Sequence, residues 1–357
     1  MLIYYLAYGF IIFTAFTVKR ENKSENIKRT ILISASLLTF LFVFGLRHPS
    51  MGIDLAYGSP SGYLGSFEKI SNMPLLEVIK MEKFQNYEKG YVILNKLIGY
   101  IGKDPQVFIF VYSLLTFLPI SYVIYKKSNN PLFSVLIYMG LPCFVAHFST
   151  LRQILAIGIC LLAVDYIETK QLAKFLVIVF LATTIHSSAI LFLAAYPAYH
   201  IKLSLHFRLA SLFALPLLFI FRIPLFNILS KILKDNAEAV DNGSINFFII
   251  LIMIYMFCIM FFDIKDKRIN GYMNIFYICC FCQIFGNIYM TATRVAWLFM
   301  TILVFLLPLG LSTMKSKRQS DLFSTMIMGA FIVYGLYSIQ NTSWAQAVPH
   351  SFYWEYI

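Results

Sequence analysis

The chain has 357 residues, of which 59% are hydrophobic and only 13% are charged, and its mean hydropathy is +0.74. Apolar stretches of about 17–25 residues recur along it, and each can cross a bilayer as a helix, so the composition predicts an all-α polytopic integral membrane protein. Long continuous apolar runs argue against a β-barrel. The formal net charge of +12 indicates cytoplasmic loops facing anionic lipid, and no large soluble basic surface supports nucleic-acid binding.

The hydropathy pattern predicts about 12 transmembrane segments in a single domain, 1–357. The predicted segments are 1–18, 29–46, 105–124, 131–147, 150–168, 172–185, 188–201, 209–223, 245–262, 271–290, 295–311 and 321–339. The first segment lacks a basic start and a small-residue cleavage site, so it is interpreted as a span and not as a signal peptide. The longest segments between spans, 47–104 and 224–244, are predicted to be extracytoplasmic loops.

Basic residues set the predicted orientation. The loop 19–30 is rich in Lys and Arg, so the positive-inside rule places it in the cytoplasm and the N-terminus outside. With the predicted spans, the later basic clusters then all lie inside. These clusters are Lys126-Lys127, Lys170 with Lys174, Lys202 with Arg208, Lys265-Lys267-Arg268 and Lys315-Lys317-Arg318. The tail 340–357 contains no Lys or Arg and is predicted to end outside.

The apolar run Leu172–Tyr199 decides the span count. A single crossing would place either Lys174 or Lys202 outside and invert every later basic cluster, so two short legs are predicted. Each leg is about 14 residues or roughly 21 Å long, shorter than a bilayer core of about 30 Å. The turn containing His186 is therefore expected below the outer surface, where irregular backbone must be buried in protein or line a watery cavity.

Three arginines, Arg47, Arg152 and Arg294, lie at the outer ends of predicted spans, against the positive-inside bias. Arginine binds phosphate through two parallel hydrogen bonds, so three converging arginines are suited to a diphosphate. The alternative is that each one snorkels to lipid headgroups. The functional interpretation is preferred because all three lie on the same predicted face.

Asp54, Glu88 and His186 are the candidate catalytic residues. A carboxylate can take a proton from an attacking sugar hydroxyl, or it can be a solvated loop charge or a partner for an arginine. Asp54 and Glu88 rank first as the base. His186 is expected deeper, in contact with the leaving group, or as a histidine satisfied by neighbouring hydroxyls. No residue spacing indicates a metal site, and the cysteines fall within apolar segments.

Several short motifs in this order resemble the EpsG family of Wzy-type polysaccharide polymerases. They are Gly45-Leu46-Arg47, Gly52-Ile53-Asp54, Tyr87-Glu88-Lys89-Gly90-Tyr91, Leu151-Arg152-Gln153 and Ile185-His186-Ser187-Ser188-Ala189. The resemblance is closest from Arg47 to about Tyr199 and looser at Arg294. Leu55-Ala56 departs from the more polar stretch expected before Tyr57.

The resemblance implies a glycosyltransferase of the bacterial cytoplasmic (inner) membrane whose active site faces outside. Its substrate would be a polyprenyl (undecaprenyl) diphosphate-linked oligosaccharide, and its product an O-antigen, capsule or exopolysaccharide. No cofactor is expected. Membrane lipid, a flippase and a chain-length regulator are the expected partners. Tyr57, Tyr91 and Gln153 are assigned to substrate positioning.

Three other functions are compatible with these sequence features. A lipid-linked oligosaccharide transporter or flippase would share the arginines and the broken helix, although no inverted repeat is evident. An O-antigen ligase-like transferase would share the donor and differ in the acceptor. A membrane acyltransferase using a buried histidine would take its donor from the cytoplasmic face.

Overall fold

A computed structural model describes residues 1–82, 84–233 and 245–356. Within these ranges the chain is all-α, as predicted, with isolated β-bridges and no strand. The first ten helices are α1 Leu2–Arg20, α2 Glu25–Phe40, α3 Gly62–Asn72, α4 Leu75–Lys80, α5 Lys89–Ile101, α6 Pro105–Lys127, α7 Pro131–Gly140, α8 Pro142–Val145, α9 Leu151–Leu162 and α10 Val164–Glu168. The others are α11 Leu172–Ile185, α12 Ala195–His200, α13 Leu205–Ile220, α14 Arg222–Leu233, α15 Asn246–Phe261, α16 Lys267–Ile284, α17 Met290–Met300, α18 Leu303–Ser312 and α19 Lys317–Asn341.

Four of the described helical segments are long and apolar enough to cross a membrane, and three bent pairs raise this number to seven. The four are α1, α2 with the π-helical turn Leu41–Gly45, α6 and α19. Two further apolar helices, α11 and α15, are shorter. The chain is therefore an integral membrane protein, and the number of twelve spans stays a prediction.

Sharp bends interrupt some of the spans that the hydropathy pattern predicts to be continuous helices. The predicted span 131–147 bends by 71° between α7 and α8, because Pro142 forces the preceding residue out of the helical region. The predicted span 295–311 bends by 43° between α17 and α18. The pair α13 and α14 bends by 80°. Because α14 continues to Leu233, the predicted loop 224–244 begins inside a helix. Its remainder, 234–244, lies outside the described residues.

The broken pair predicted within Leu172–Tyr199 is present. α11 ends at Ile185, and a 3₁₀ helix, Ser187–Ala194, follows His186 and leads into α12. The 3₁₀ helix packs against α11, and α10 contacts both α11 and α12. Both legs therefore return to the same end of the bundle, as predicted from the lysines that flank them.

The predicted loop 47–104, which we call the outer segment after its predicted side, contains α3, α4 and α5 and packs against one end of the bundle. α3 packs against α5 and α6, and α5 packs against α11. Its apolar side chains form a second hydrophobic cluster with those of α6 and α9, which includes Tyr63, Phe67, Tyr91, Phe108 and Leu151. Burial of these rings removes a large apolar area from water and holds the segment against the ends of the spans.

The start of α1 and the residues around Tyr353 lie near this same end. The hydroxyl of Tyr4 donates to the carbonyl of Ala347 at 2.5 Å, and the backbone N–H of Tyr353 donates to the carbonyl of Leu46 at 3.1 Å. Three of the predicted cytoplasmic basic clusters meet elsewhere, around a separate cavity lined by Arg29, Lys126-Lys127 and Arg268. The structure thus groups residues as the predicted topology requires.

We expect the end bearing the outer segment to be extracellular and residue 268 to be cytoplasmic, because the positive-inside rule orients the basic cavity inward. The measurement is labelling of Glu77→Cys and Arg268→Cys variants with a membrane-impermeant maleimide, relative to the unsubstituted protein. Glu77 is exposed on α4 and should react in intact cells. Arg268→Cys should react only after permeabilisation, and labelling of it in intact cells would reverse the topology.

Candidate active site

Arg47 follows the π-helical end of α2 and is completely buried. Its guanidinium donates to the carbonyls of His147 at 2.9 Å and Phe148 at 3.0 Å. These carbonyls belong to the 3₁₀ turn just before α9. Arg47 therefore ties the start of the outer segment to the start of α9.

Gly52 carries the chain closely over the same turn. Its φ is +108°, and a Cβ built on it would lie 1.9 Å from the carbonyl oxygen of Phe148. Only glycine combines this conformation with this approach. The 3₁₀ helix that follows carries Asp54, so Arg47 and Gly52 together place the Asp54 carboxylate.

A polar cavity of about 380 Å³ lies between the outer segment and the ends of α9, α11 and α17. The predicted residues that line it are Asp54, Arg152, Gln153, His186 and Arg294. Residues from all parts of the predicted site therefore converge, although they are spread over more than half of the chain. The carboxylate of Asp54 is half-buried and makes no hydrogen bond or ion pair with the described residues.

Arg152 stands at the start of α9 within a cage of tyrosine rings. Its guanidinium lies 4.5 Å from the ring centre of Tyr87, 5.5 Å from Tyr91 and 5.9 Å from Tyr63. It also forms an ion pair with Glu88. Arginine stacks favourably on aromatic faces, so the side chain is held by both interactions.

Glu88 uses both of its carboxylate oxygens. One accepts from Arg152, and the other accepts the backbone N–H of Ser187 at 2.7 Å. Burial by itself raises the pKa of Glu88, but the Ser187 hydrogen bond and the charge of Arg152 outweigh it and lower the pKa below its ordinary value. Glu88 is therefore ionised at neutral pH and links α9 to the turn after α11.

His186 lies at that turn, between α11 and the 3₁₀ helix. The backbone N–H of Ser188 lies 3.3 Å from its Nδ1, and the Ser188 hydroxyl lies 3.0 Å from the same atom. Because Nδ1 accepts the backbone N–H, the neutral ring carries its proton on Nε2. His186 thus brings an N–H donor to the cavity.

Arg294 lies on α17 and is half-buried. The amide nitrogen of Gln153 donates to its backbone carbonyl at 2.7 Å, which fixes α17 beside the start of α9. The Arg294 guanidinium has no hydrogen bond or ion pair with any of the described residues. The two arginines of the cavity therefore differ, since Arg152 is neutralised and Arg294 is not.

Four of the predicted site residues do not line the cavity. Glu88 lies behind Arg152, to which it is paired. Arg47 is completely buried and binds the carbonyls of His147 and Phe148. Tyr91 is completely buried under Arg152. Tyr57 is exposed, with its ring 5.3 Å from that of His48.

Other lining residues were not singled out from the sequence. They are Ile53, Ala56, Ser61, Gly62, Tyr63, Tyr87 and Thr150. Tyr87 did carry a signal, because it begins the Tyr87–Tyr91 motif. Tyr63 had none, since an isolated tyrosine in a polar stretch is indistinguishable from a surface residue.

We expect Gly52→Ala to lower the midpoint of thermal unfolding in detergent and to impair the site, because its Cβ would displace the Phe148 carbonyl that binds Arg47. Gly58→Ala is the matched control. Gly58 also has a positive φ, +75°, but no atom lies within 4 Å of the position that its Cβ would occupy, so the substitution adds backbone strain of about 1–2 kcal/mol and no clash. Equal destabilisation by the two variants would contradict the close-approach argument.

A family model described as the EpsG family matches residues 30–352. The matched range covers nearly the whole chain and contains every residue of the cavity. No curated protein and no solved structure matches the chain.

Proposed function

The chain belongs to the EpsG family of Wzy-like polysaccharide polymerases, and from this membership we propose that it joins polyprenyl-diphosphate-linked oligosaccharide repeat units at the extracytoplasmic face. The family implies a lipid-linked oligosaccharide substrate. The observation that carries the proposal is one polar cavity lined by both an unpaired carboxylate, Asp54, and an unpaired guanidinium, Arg294. A base for the acceptor and a cation for the leaving group are the two groups that such a transfer needs.

Arg294 binds the diphosphate of the donor in this proposal. Its charge has no partner among the described residues, so a phosphate oxygen would meet a cation that is not already neutralised. Fixed positive charge stabilises the negative charge that develops on the leaving group. Arg152 adds hydrogen-bond donors beside it, and the His186 Nε2–H can donate to the same diphosphate or to the sugar linked to it.

Asp54 is the proposed general base. It accepts the proton of an acceptor hydroxyl while that oxygen forms a bond to the anomeric carbon of the donor chain. The bond between the anomeric carbon and the phosphate oxygen breaks, and the electron pair leaves with the polyprenyl diphosphate. Asp54 suits this role better than Glu88, because both oxygens of Glu88 already accept hydrogen bonds.

Glu88 is therefore assigned to positioning. It orients the Arg152 guanidinium and fixes the Ser187 backbone next to His186. Gln153 positions the backbone of Arg294, and Tyr91 supports Arg152 from below. Arg47 supports the loop that carries Asp54.

Tyr63 and Tyr87 line the cavity with nearly parallel rings whose centres lie 6.2 Å apart. Their faces and the hydroxyls of Ser61 and Thr150 offer apolar and polar contacts for sugar units. Tyr57, which is exposed outside the cavity, is retained as a contact for sugars further along the chain.

Purified protein incubated with a lipid-linked repeat unit should yield a ladder of longer products. We expect Asp54→Asn to lower the rate of chain extension by about 10²–10⁴-fold at saturating substrate, as is typical for loss of a general base. Glu88→Gln keeps one acceptor oxygen but turns an amide NH2 toward the second donor, so it should lower the midpoint of thermal unfolding, whereas Asp54→Asn, at a residue with no such partner among the described residues, should not.

The outcomes separate the candidate functions. A single addition to a different acceptor, with no ladder, would indicate a ligase-like transferase, and movement of the lipid-linked sugar without a new bond would indicate a transporter. Normal extension by Asp54→Asn would reject Asp54 as the base.

Arg294→Lys and Arg152→Lys should both reduce chain extension sharply while the protein still folds, because lysine keeps the charge but loses the bidentate geometry. The measurement is initial rate against concentration of the lipid-linked substrate. Lys103→Arg, on the outer segment and outside the cavity, is the reverse-exchange control and should extend chains normally. Wild-type rates in both Arg→Lys variants would reject the assignment to the diphosphate.

A further inference from the structure

A second polar cavity, of about 600 Å³, lies where α6, α10 and α18 approach the starts of α2 and α16. Four cations line it: Arg29, Lys126, Lys127 and Arg268. α9 begins at the candidate active site, where Arg152 lies, and α10, which follows it, carries Asp165 at the second cavity. α6 also ends at the second cavity, with Lys126 and Lys127. The second cavity is therefore at the opposite end of these helices.

Asp165, which lines this cavity, and Glu168 form ion pairs with the two lysines. Asp165 pairs with Lys126 at 2.5 Å and with Lys127 at 2.6 Å, and Glu168 pairs with Lys127 at 2.7 Å. Glu168 also accepts the hydroxyl of Tyr272. This network joins α6, α10 and α16 and accounts for the lysines as part of the fold.

Arg29 and Arg268 form no ion pair with a carboxylate of the described residues. One guanidinium nitrogen of Arg29 donates to the carbonyl of Tyr125 at 2.6 Å, which orients the side chain without neutralising it. Arg268 is exposed at the cavity, and its guanidinium has no hydrogen bond or ion pair with the described residues. A structural role in ion pairs accounts for Lys126 and Lys127, but it does not account for the charges of Arg29 and Arg268.

We propose that this cavity binds a phosphate-bearing anion between Arg29 and Arg268. The planar fork of arginine matches phosphate oxygens, and Ser128, Asn129 and Ser312 add polar groups to the lining. The cavity lies at the ends of helices, at the face predicted to be cytoplasmic, where anionic lipid headgroups accumulate. The source that fits this position is the phosphodiester headgroup of an anionic phospholipid, and a soluble phosphate or diphosphate shares the same chemistry.

The test compares Arg268→Gln with Lys265→Gln, using the full-length protein purified in detergent. Lys265 is an exposed cation near Arg268 in sequence that does not line the cavity. Both changes remove one charge, and neither removes a hydrogen bond within the described structure. Native mass spectrometry measures retention of phosphatidylglycerol relative to phosphatidylcholine, and thermal unfolding with inorganic diphosphate measures the soluble source.

We expect the wild-type protein to retain phosphatidylglycerol preferentially, and Arg268→Gln to weaken its affinity for that lipid about fivefold. Lys265→Gln should behave as the wild type. Stabilisation by diphosphate that is lost in Arg268→Gln, without lipid retention, would support the anion site and assign it to a soluble ligand. Absence of both effects in the wild type, or equal losses in the two variants, would overturn the proposal.

Discussion

The carboxylate of Glu88 connects three parts of the chain that are distant in sequence. It binds Arg152 at the start of α9 and the Ser187 backbone after α11, while the residue itself immediately precedes α5. Removing one member of a largely buried ion pair leaves the other charge uncompensated and typically costs about 3–5 kcal/mol. The positions of the outer segment, of Arg152 and of the break after α11 therefore all depend on the side chain of Glu88.

The hydrogen bonds of Glu88 and His186 also satisfy backbone groups at the break after α11. A break in a helix leaves backbone N–H groups without intrahelical partners, and each is costly in an apolar environment. At the break after α11, the Ser187 N–H donates to Glu88 and the Ser188 N–H donates to His186. The outer segment covers the break, because the start of α5 approaches Thr184 closely enough that only a glycine, Gly90, fits there. Polar residues of the site thus stabilise the irregular backbone that carries them.

Charge pairing divides the polar residues of both cavities into supporting and available groups. Arg152 with Glu88, and the two lysines with Asp165 and Glu168, are compensated within the protein. Among the described residues, the charges that no opposite charge compensates are Asp54 and Arg294 in one cavity and Arg29 and Arg268 in the other. Asp54, Arg294 and Arg29 are half-buried, and an uncompensated charge at such a position interacts more strongly with a ligand than one in bulk water, because fewer water molecules screen it. The location of the unpaired charges is therefore a physical reason to expect ligands in both cavities.

Hydropathy, basic clusters and short motifs were sufficient to predict an all-helical membrane protein, a break near His186 and five of the twelve described residues that line the cavity. These are local or periodic properties, so they can be derived from residue order alone. They did not predict the bend at Pro142 as an interruption of a span, because an apolar run has the same hydropathy whether it is straight or bent.

The roles of the individual charges depended on tertiary structure. Arg47, Arg152 and Arg294 occupy equivalent positions at predicted span ends, yet one is buried on backbone carbonyls, one is paired and one is unpaired. Glu88 and Arg152 are 64 residues apart, and no local pattern specifies that they meet. Sequence determined which residues can carry charge at this end of the protein, whereas packing determined which charges neutralise each other, since ion pairing depends on distances that only the folded chain defines.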